Sequence, residues 1–289
     1  MTRALSGRHA GPRFGSSIAA HVVLLILAAV FLFPLFHLFS RSLMTPAETI
    51  SVPPTLWPAV PRWSNYADAW NSAPFGQFLV NSILITTLTV VGATASAALC
   101  GFGFARLEFP GRNVLFVLVL ATLMLPATVT LIPLYIIFRD LGWLNTFLPL
   151  TVPAFFGGGA ISIFLFRQYF RTLPRELDEA ATLDGANTWQ IFRFIALPLS
   201  QPVIIAVATL TFLGSWTDLF GPIIFLNEQS KWTLAQGIAS VFDAYYGRLA
   251  INYVAVVSLV LVVPPLLLYA LVQRHLIEGI TPAGSGERG

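Results

Sequence analysis

Six stretches of this chain are apolar over about twenty residues each, near Ile18–Phe39, Phe78–Ala105, Val114–Phe138, Phe147–Phe166, Val203–Phe225 and Val254–Val272. A helix needs about 20 residues to cross a hydrocarbon core about 30 Å thick. Strands of a membrane barrel alternate polar and apolar residues over about ten positions, whereas these runs are apolar on every side. They predict an all-α membrane protein with six transmembrane helices. Charge content agrees: 10% of the 289 residues are charged, against roughly 25% in an average soluble domain. That is too little polar surface to face water all round.

The first stretch follows Arg3, Arg8 and Arg13, as the core of a secretory signal would. It runs 22 residues, beyond the roughly 7–15 of a signal core, and no small-residue cleavage site precedes Arg41. It reads as an uncleaved first span. Orientation follows from Lys and Arg, which gather in cytoplasmic loops. Alternate connections place eleven on one side (Arg3, Arg8, Arg13, Arg106, Arg112, Arg167, Arg171, Arg175, Arg193, Arg274, Arg288). Five fall on the other: Arg41, Arg62, Arg139, Lys231 and Arg248. Both termini are expected in the cytoplasm, with 1–16 and 280–289 as cytoplasmic ends of a six-helix domain over 17–279. The scatter of these residues between apolar runs gives no basic patch for nucleic acid. Cys100 is the single cysteine and lies in an apolar run, so no disulfide forms within one chain. His9, His21, His37 and His275 lie far apart and show no metal-ligand spacing.

Two exterior segments result, about Ser40–Gln77 and Leu226–Tyr253. The first carries Pro53, Pro54, Pro58 and Pro61 with Trp57, Trp63 and Trp70. Proline limits regular helix and tryptophan favours the membrane boundary. Such a segment is either a folded cap that meets an external partner or a plain connector.

Within the spans, Asp218 is the one ionisable acid, and Lys and Arg are missing. A charge at the bilayer centre costs roughly 2.5–3.5 kcal/mol on insertion scales, so retained ones mark ion paths. A carrier driven by protons or sodium needs such groups near the midplane, and Asp218 lies in the outer part of the fifth stretch. Asp218 closes the run Gly214-Ser215-Trp216-Thr217-Asp218. An aromatic ring beside a carboxylate suits a polyol, through stacking and hydrogen bonds; an interfacial Trp and an Asp bonded to a helix end fit equally. In the second stretch Gly92, Ser96 and Cys100, with Ala93, Ala97 and Gly101, make small faces for close helix packing, within the chain or against a partner. Pro126, Pro133, Gly157–Gly158–Gly159 and Pro264–Pro265 predict kinks or a lined pathway.

The loop from Arg167 to Gln201 is the most informative segment. Pro174 suits a first helical turn, and Glu176, Asp178 and Glu179 complement the positive end of a helix dipole. Leu173, Leu177, Ala180, Ala181 and Leu183 give one apolar face, and Gly185 a C-terminal cap. A second amphipathic stretch, Thr188–Ala196, closes at Pro198. The acidic centre disfavours anionic lipid and favours docking to a protein groove.

Glu179-Ala180-Ala181, three residues, Gly185, nine residues, Ile195, one residue and Leu197-Pro198 resemble the EAA motif of ABC importer permeases. Asn65-Tyr66, Asn81-Ser82, Phe104-Ala105-Arg106, Phe109-Pro110-Gly111-Arg112 and Phe212-Leu213-Gly214-Ser215-Trp216 resemble its carbohydrate-uptake subgroup, over roughly Phe33 to Gly279. The likeness is to the smaller permease of maltose-type systems. It implies a type I importer permease fold in a bacterial inner membrane. The partners it implies are a second permease, two copies of a cytoplasmic ATP-binding subunit that holds ATP and Mg, and an external solute-binding protein. Glu179, Ala180, Ala181, Asp184, Gly185, Ile195, Leu197 and Pro198 would form the coupling segment. Glu179 would face basic groups of the ATPase, the alanines would allow close approach and Gly185 would make the turn. Asn81, Trp216 and Asp218 are the candidate substrate-pathway residues, although maltose-type systems hold the solute mostly on the larger permease and related ones carry glycerophosphate-type solutes.

This chain carries no Gly-x-x-x-x-Gly-Lys-Ser/Thr phosphate loop, and its one lysine is Lys231. It is expected to be a non-catalytic subunit. A self-powered carrier or channel would show midplane acids, His or Arg, or a repeat of spans. A membrane-embedded enzyme would show paired acids, a His cluster, or a nucleophile with its base.

Overall fold

Helix carries all six apolar stretches in the computed structural model, which describes residues 14–241 and 251–278, and no strand occurs among the described residues. Arg3, Arg8, Arg13, Arg248, Arg288 and the expected C-terminal tail lie outside them. Four helices are long and apolar enough to cross a membrane, or up to six when each of two bent pairs counts as one. The described residues divide into two units, 14–69 with 251–259 and 70–241 with 260–278.

In the first unit α1 (Phe14–Ser42) leads into the proline- and tryptophan-rich segment. Its apolar window buries nothing inside the chain, and Leu25 and Phe31 are 69% and 76% exposed. Such a face calls for lipid or another subunit around it. The segment after it is a folded cap. A capping box opens α2 (Pro46–Thr49), with Thr45 and Glu48 bonding each other's backbone N–H. The short helix α3 (Ser64–Asn71) follows. From it the buried Asn65 side chain donates to the carbonyls of Ser42 (2.9 Å) and Met44 (2.8 Å). Ser40 Oγ donates to the Leu56 carbonyl, and Trp57 stacks on Phe36.

Glu48 holds this cap together. Its carboxylate accepts the N–H of Thr45 (2.8 Å) and of Ala59 (3.0 Å). Those two backbone bonds, Thr45 first, hold its pKa below the ordinary carboxylate value. A depressed folded pKa stabilises the cap above the unfolded pKa, and that contribution disappears as pH falls through the folded value. Hydrogen-exchange protection at 45–60, relative to the intrinsic rate at each pH, should therefore fall on acidification below about pH 4. Glu48→Gln should exchange faster already at neutral pH, with the acid dependence flattened.

The second unit is built on α4 (Phe75–Arg106). After it come α5 (Arg112–Ala121), a 3-10 turn at Thr122–Met124 and α6 (Ala127–Asp140), so the third stretch breaks at Pro126, where the proline lacks a donor. The fourth is less regular still. The helix α7 (Leu148–Thr151) runs into a 3-10 turn at Val152–Phe155, and Gly157, Gly158 and Gly159 all take positive φ before α8 (Ala160–Thr172).

This irregular segment explains the small residues of α4. Ser96 Oγ donates to the Ala154 carbonyl (2.9 Å) and Thr89 Oγ1 to the Leu150 carbonyl (3.1 Å), which gives the broken backbone its missing partners. Gly92 lies under the Phe155 ring, Ala93 against Gly158 and Gly101 against Phe166. The small faces therefore serve packing inside the chain. Nearby, Phe102, Phe166, Phe170 and Phe192 fill the core, with Phe102 edge-on to Phe170 at 5.6 Å. In lipid such dense packing, more than water exclusion, holds helices together.

Two expected boundaries move. The helix α8 runs on to Thr172, so Arg167 and Arg171 belong to it and the connecting segment begins at Leu173. Satisfied i→i−4 bonding simply continues past the last apolar residue. In the fifth stretch α12 (Gln201–Trp216) ends short, and α13 (Phe220–Phe225) starts anew after a break at Thr217–Leu219. Asp218 sits in that break, not inside a continuous span.

Candidate functional site

The connecting segment is a helix–turn–helix built from local signals. Its first helix, α9 (Glu176–Leu183), starts two residues after Pro174, with Glu176, Asp178 and Glu179 in its first turn. Its end is a Schellman turn. Gly185 N–H donates to Thr182 (3.0 Å) and Ala186 N–H to Ala181 (2.9 Å), with Gly185 at φ +84°. Asn187 and Gln190 then form a second capping box at the start of α10 (Thr188–Ile191). A wide π turn follows at Phe192–Ala196, then α11 (Leu197–Leu199). Pro198 does not close the helix as its composition suggests. The widened turn just upstream accommodates the proline ring, and the chain turns by 78° only at the step into α12.

One side of this segment is anchored and the other is bare. Ile191, Phe192 and Ala196 are buried in the core of α4 and α8. Arg106, at the end of α4, reaches Asp178 with an ion pair at 3.2 Å and donates to the Leu173 carbonyl at 2.9 Å. Its side chain is 7% exposed and that of Asp178 24%, so loss of the carboxylate leaves a largely desolvated guanidinium without its counter-charge, which is destabilising. Glu179, Ala180, Asp184, Gly185 and Pro198 are exposed, with Ala181, Ile195 and Leu197 half-buried. Leu183 stands 89% exposed. The Arg106–Asp178 clamp is the feature that spacing alone did not reveal, although Phe104-Ala105-Arg106 was part of the family-like pattern.

The candidate pathway residues separate. Asp218 is half-buried, and its Oδ1 accepts the Gly221 N–H (3.1 Å), capping α13. It also lines a cavity of about 350 Å³ with Ser82, Thr86, Thr89, Thr211, Ser215 and Thr233. Trp216 does not join it. That indole is buried, 3% exposed, and donates from Nε1 to the Leu261 carbonyl (2.8 Å) of α15 (Ile251–Glu278), so ring and carboxylate do not share a binding face. Asn81 is structural in its bonds as well. Its amide donates to the carbonyls of Ser230 (2.9 Å) and Trp232 (3.0 Å), tying the segment just before α14 (Leu234–Val241) to α4. The hydroxyls of Ser82, Thr86, Thr89 and Ser215 around Asp218 were missed in the sequence, because Ser and Thr within apolar helices look like backbone-bonded fillers.

This multi-helix arrangement, with an exposed EAA segment on a membrane-spanning core, defines an importer permease. The fold is that of a bacterial ABC transporter that imports the acidic polysaccharide alginate: TM-score 0.76 at 23% identity, over 91% of this chain and 99% of that one. Residues 97–280 match the model of the binding-protein-dependent transport system inner membrane component family, and the chain belongs to that family. It is similar to the sn-glycerol-3-phosphate transport system permease protein UgpE of Yersinia enterocolitica, at 34% identity over 93% of this chain and 97% of the relative. Similarity to the diacetylchitobiose uptake system permease protein NgcG of Streptomyces coelicolor is also 34%, over 91% and 86%. The chain is thus a transmembrane permease subunit of a binding-protein-dependent ABC importer, a non-catalytic, multi-pass membrane protein.

Proposed function

We propose that α9 is the coupling helix of this permease and that the solute it passes is a neutral, polyhydroxylated molecule such as a sugar. The observation that carries the coupling assignment is an EAA segment whose Glu179–Ala180 and Asp184–Gly185 edges are exposed while Arg106 and Phe192 root it in the bundle. An ATP-binding subunit, present in two copies with its ATP and Mg, receives that exposed edge. Its closure pulls α9. The Arg106–Asp178 pair and the Phe102–Phe192 contact (5.1 Å) pass the pull to α4, and a second permease completes the pathway opposite. An external binding protein delivers solute at the exterior face, with both termini of this chain in the cytoplasm.

Cysteine at Ala180, in a Cys100→Ala background, should crosslink to an ATP-binding subunit in membranes. Cysteine on the exterior segment at Ser51 should not. Absence of the first crosslink in a transport-active complex rejects the assignment.

The solute class follows from Asp218. The cavity holds one carboxylate and several hydroxyls, and no Lys or Arg lines it. A fixed carboxylate repels a phosphorylated solute and accepts hydrogen bonds from sugar hydroxyls. Among the two relatives, this chemistry fits the diacetylchitobiose type better than the glycerophosphate type. Asp218→Asn should weaken uptake of a neutral sugar about 10-fold, the order of one charged hydrogen bond. A gain of glycerophosphate uptake in the wild type over sugars would overturn the solute class.

A further inference from the structure

Five arginines line one hollow of about 530 Å³, where α4 ends, α5 begins and α8 ends: Arg106, Arg112, Arg167, Arg171 and Arg175. Permease coupling uses only the first. Like charges gathered in a concave site repel one another and focus a positive field outward. Among the described residues Arg106 alone of the five has a carboxylate partner, Asp178. Two others are held rigidly by neutral groups. Arg112 Nη1 donates to the Leu107 carbonyl (2.9 Å), and the Arg167 guanidinium lies 3.9 Å over the Phe116 ring. These contacts orient the guanidinium planes and leave their charge uncompensated. Arg171 and Arg175 are exposed at the rim.

The hollow sits where the candidate spans Phe75–Arg106 and Leu148–Thr172 end, which is the depth of lipid headgroups. Beside it α5 turns Val114, Leu115 and Val117 outward, 64%, 48% and 61% exposed. An apolar wall for an acyl chain thus adjoins a cluster of planar donors suited to phosphate oxygens. We propose that this hollow binds the phosphate of an anionic phospholipid headgroup, with the acyl chains along α5. The adjoining apolar wall favours lipid over free phosphate. Because Arg106 belongs both to the hollow and to the clamp on α9, a bound headgroup sits next to the coupling helix. This binding site stands independently of the coupling and solute assignments above.

The test is native mass spectrometry of the purified transporter complex titrated with phosphatidylglycerol or phosphatidylcholine, with and without inorganic phosphate. Wild type should retain phosphatidylglycerol at about 10-fold lower lipid concentration than phosphatidylcholine, and phosphate should not displace it. Arg171→Ala with Arg175→Ala should abolish that preference, and the paired Arg→Lys changes should keep most of it. Equal retention of the two lipids by wild type overturns the proposal, whatever the variants do. So does full displacement by phosphate, which would mark a free-phosphate site. A double alanine variant that keeps its lipid preference but sheds the ATP-binding subunit would assign the arginines to protein docking instead.

Discussion

Glu179→Lys should abolish ATP-driven solute uptake while the permease inserts and purifies at wild-type yield. The side chain is exposed on α9 and makes no ion pair among the described residues, so its loss costs the isolated chain little. Under the coupling assignment proposed above, the same change sets a cation against basic groups of the ATPase. Reversing a charge at a docked contact costs about 2–5 kcal/mol, or roughly 30-fold to several thousand-fold in affinity. Gly185→Val should act through the backbone instead. Open space surrounds the position, but a β-branched residue at φ +84° is strained by about 1–2 kcal/mol. The Schellman turn would open and α9 would tilt off its docking angle. Uptake in proteoliposomes, measured beside the ATPase content of the purified complex, separates the two variants. Full uptake in both would remove the functional meaning of the EAA match.

Gly158→Ala should be the most damaging small change to the fold. A Cβ there would come within 2.7 Å of the Ala93 Cα, on the rigid backbone of α4, and the position holds φ +64°. Overpacking of this kind costs about 1–3 kcal/mol, and the backbone conformation adds about 1–2 more. Neighbouring bonds would suffer with it, because Ser96 and Thr89 reach the fourth stretch only while it lies flat on α4. Thermal unfolding in detergent should fall by several degrees, with reduced yield of monodisperse protein. Gly159→Ala is the control, since nothing crowds that site although its φ is also positive; it should be milder.

Much of this was legible in the residues. Twenty-residue apolar runs leave helix as the only way to satisfy backbone bonds in lipid, and the capping signal at Gly185 is local, so it survives into the structure. What stayed hidden depends on contacts distant in sequence. Nothing near Asp178 announces Arg106, 72 positions earlier, as its partner. The direction of Trp216 is set by the Leu261 carbonyl on another helix, so adjacency to Asp218 suggested a shared face that three-dimensional packing denies. Composition also misjudged helix ends. Thr217–Leu219 looks apolar enough to continue a span, yet the chain breaks there because Asp218 takes over capping of α13. In the segment 40–77, proline and tryptophan content left a folded unit and a plain connector equally open; the Asn65 and Glu48 networks show a folded unit.

On the proposed coupling, this permease draws its energy from a separate ATPase through α9. Mass spectrometry of the complex, purified in mild detergent after tagging this chain in its native host, tests it most directly. The expected result is an ATP-binding subunit at two copies together with a second permease, and loss of the ATP-binding subunit alone when Glu179→Lys is introduced. A chain that purifies by itself after gentle crosslinking, yet still supports solute uptake, would contradict it.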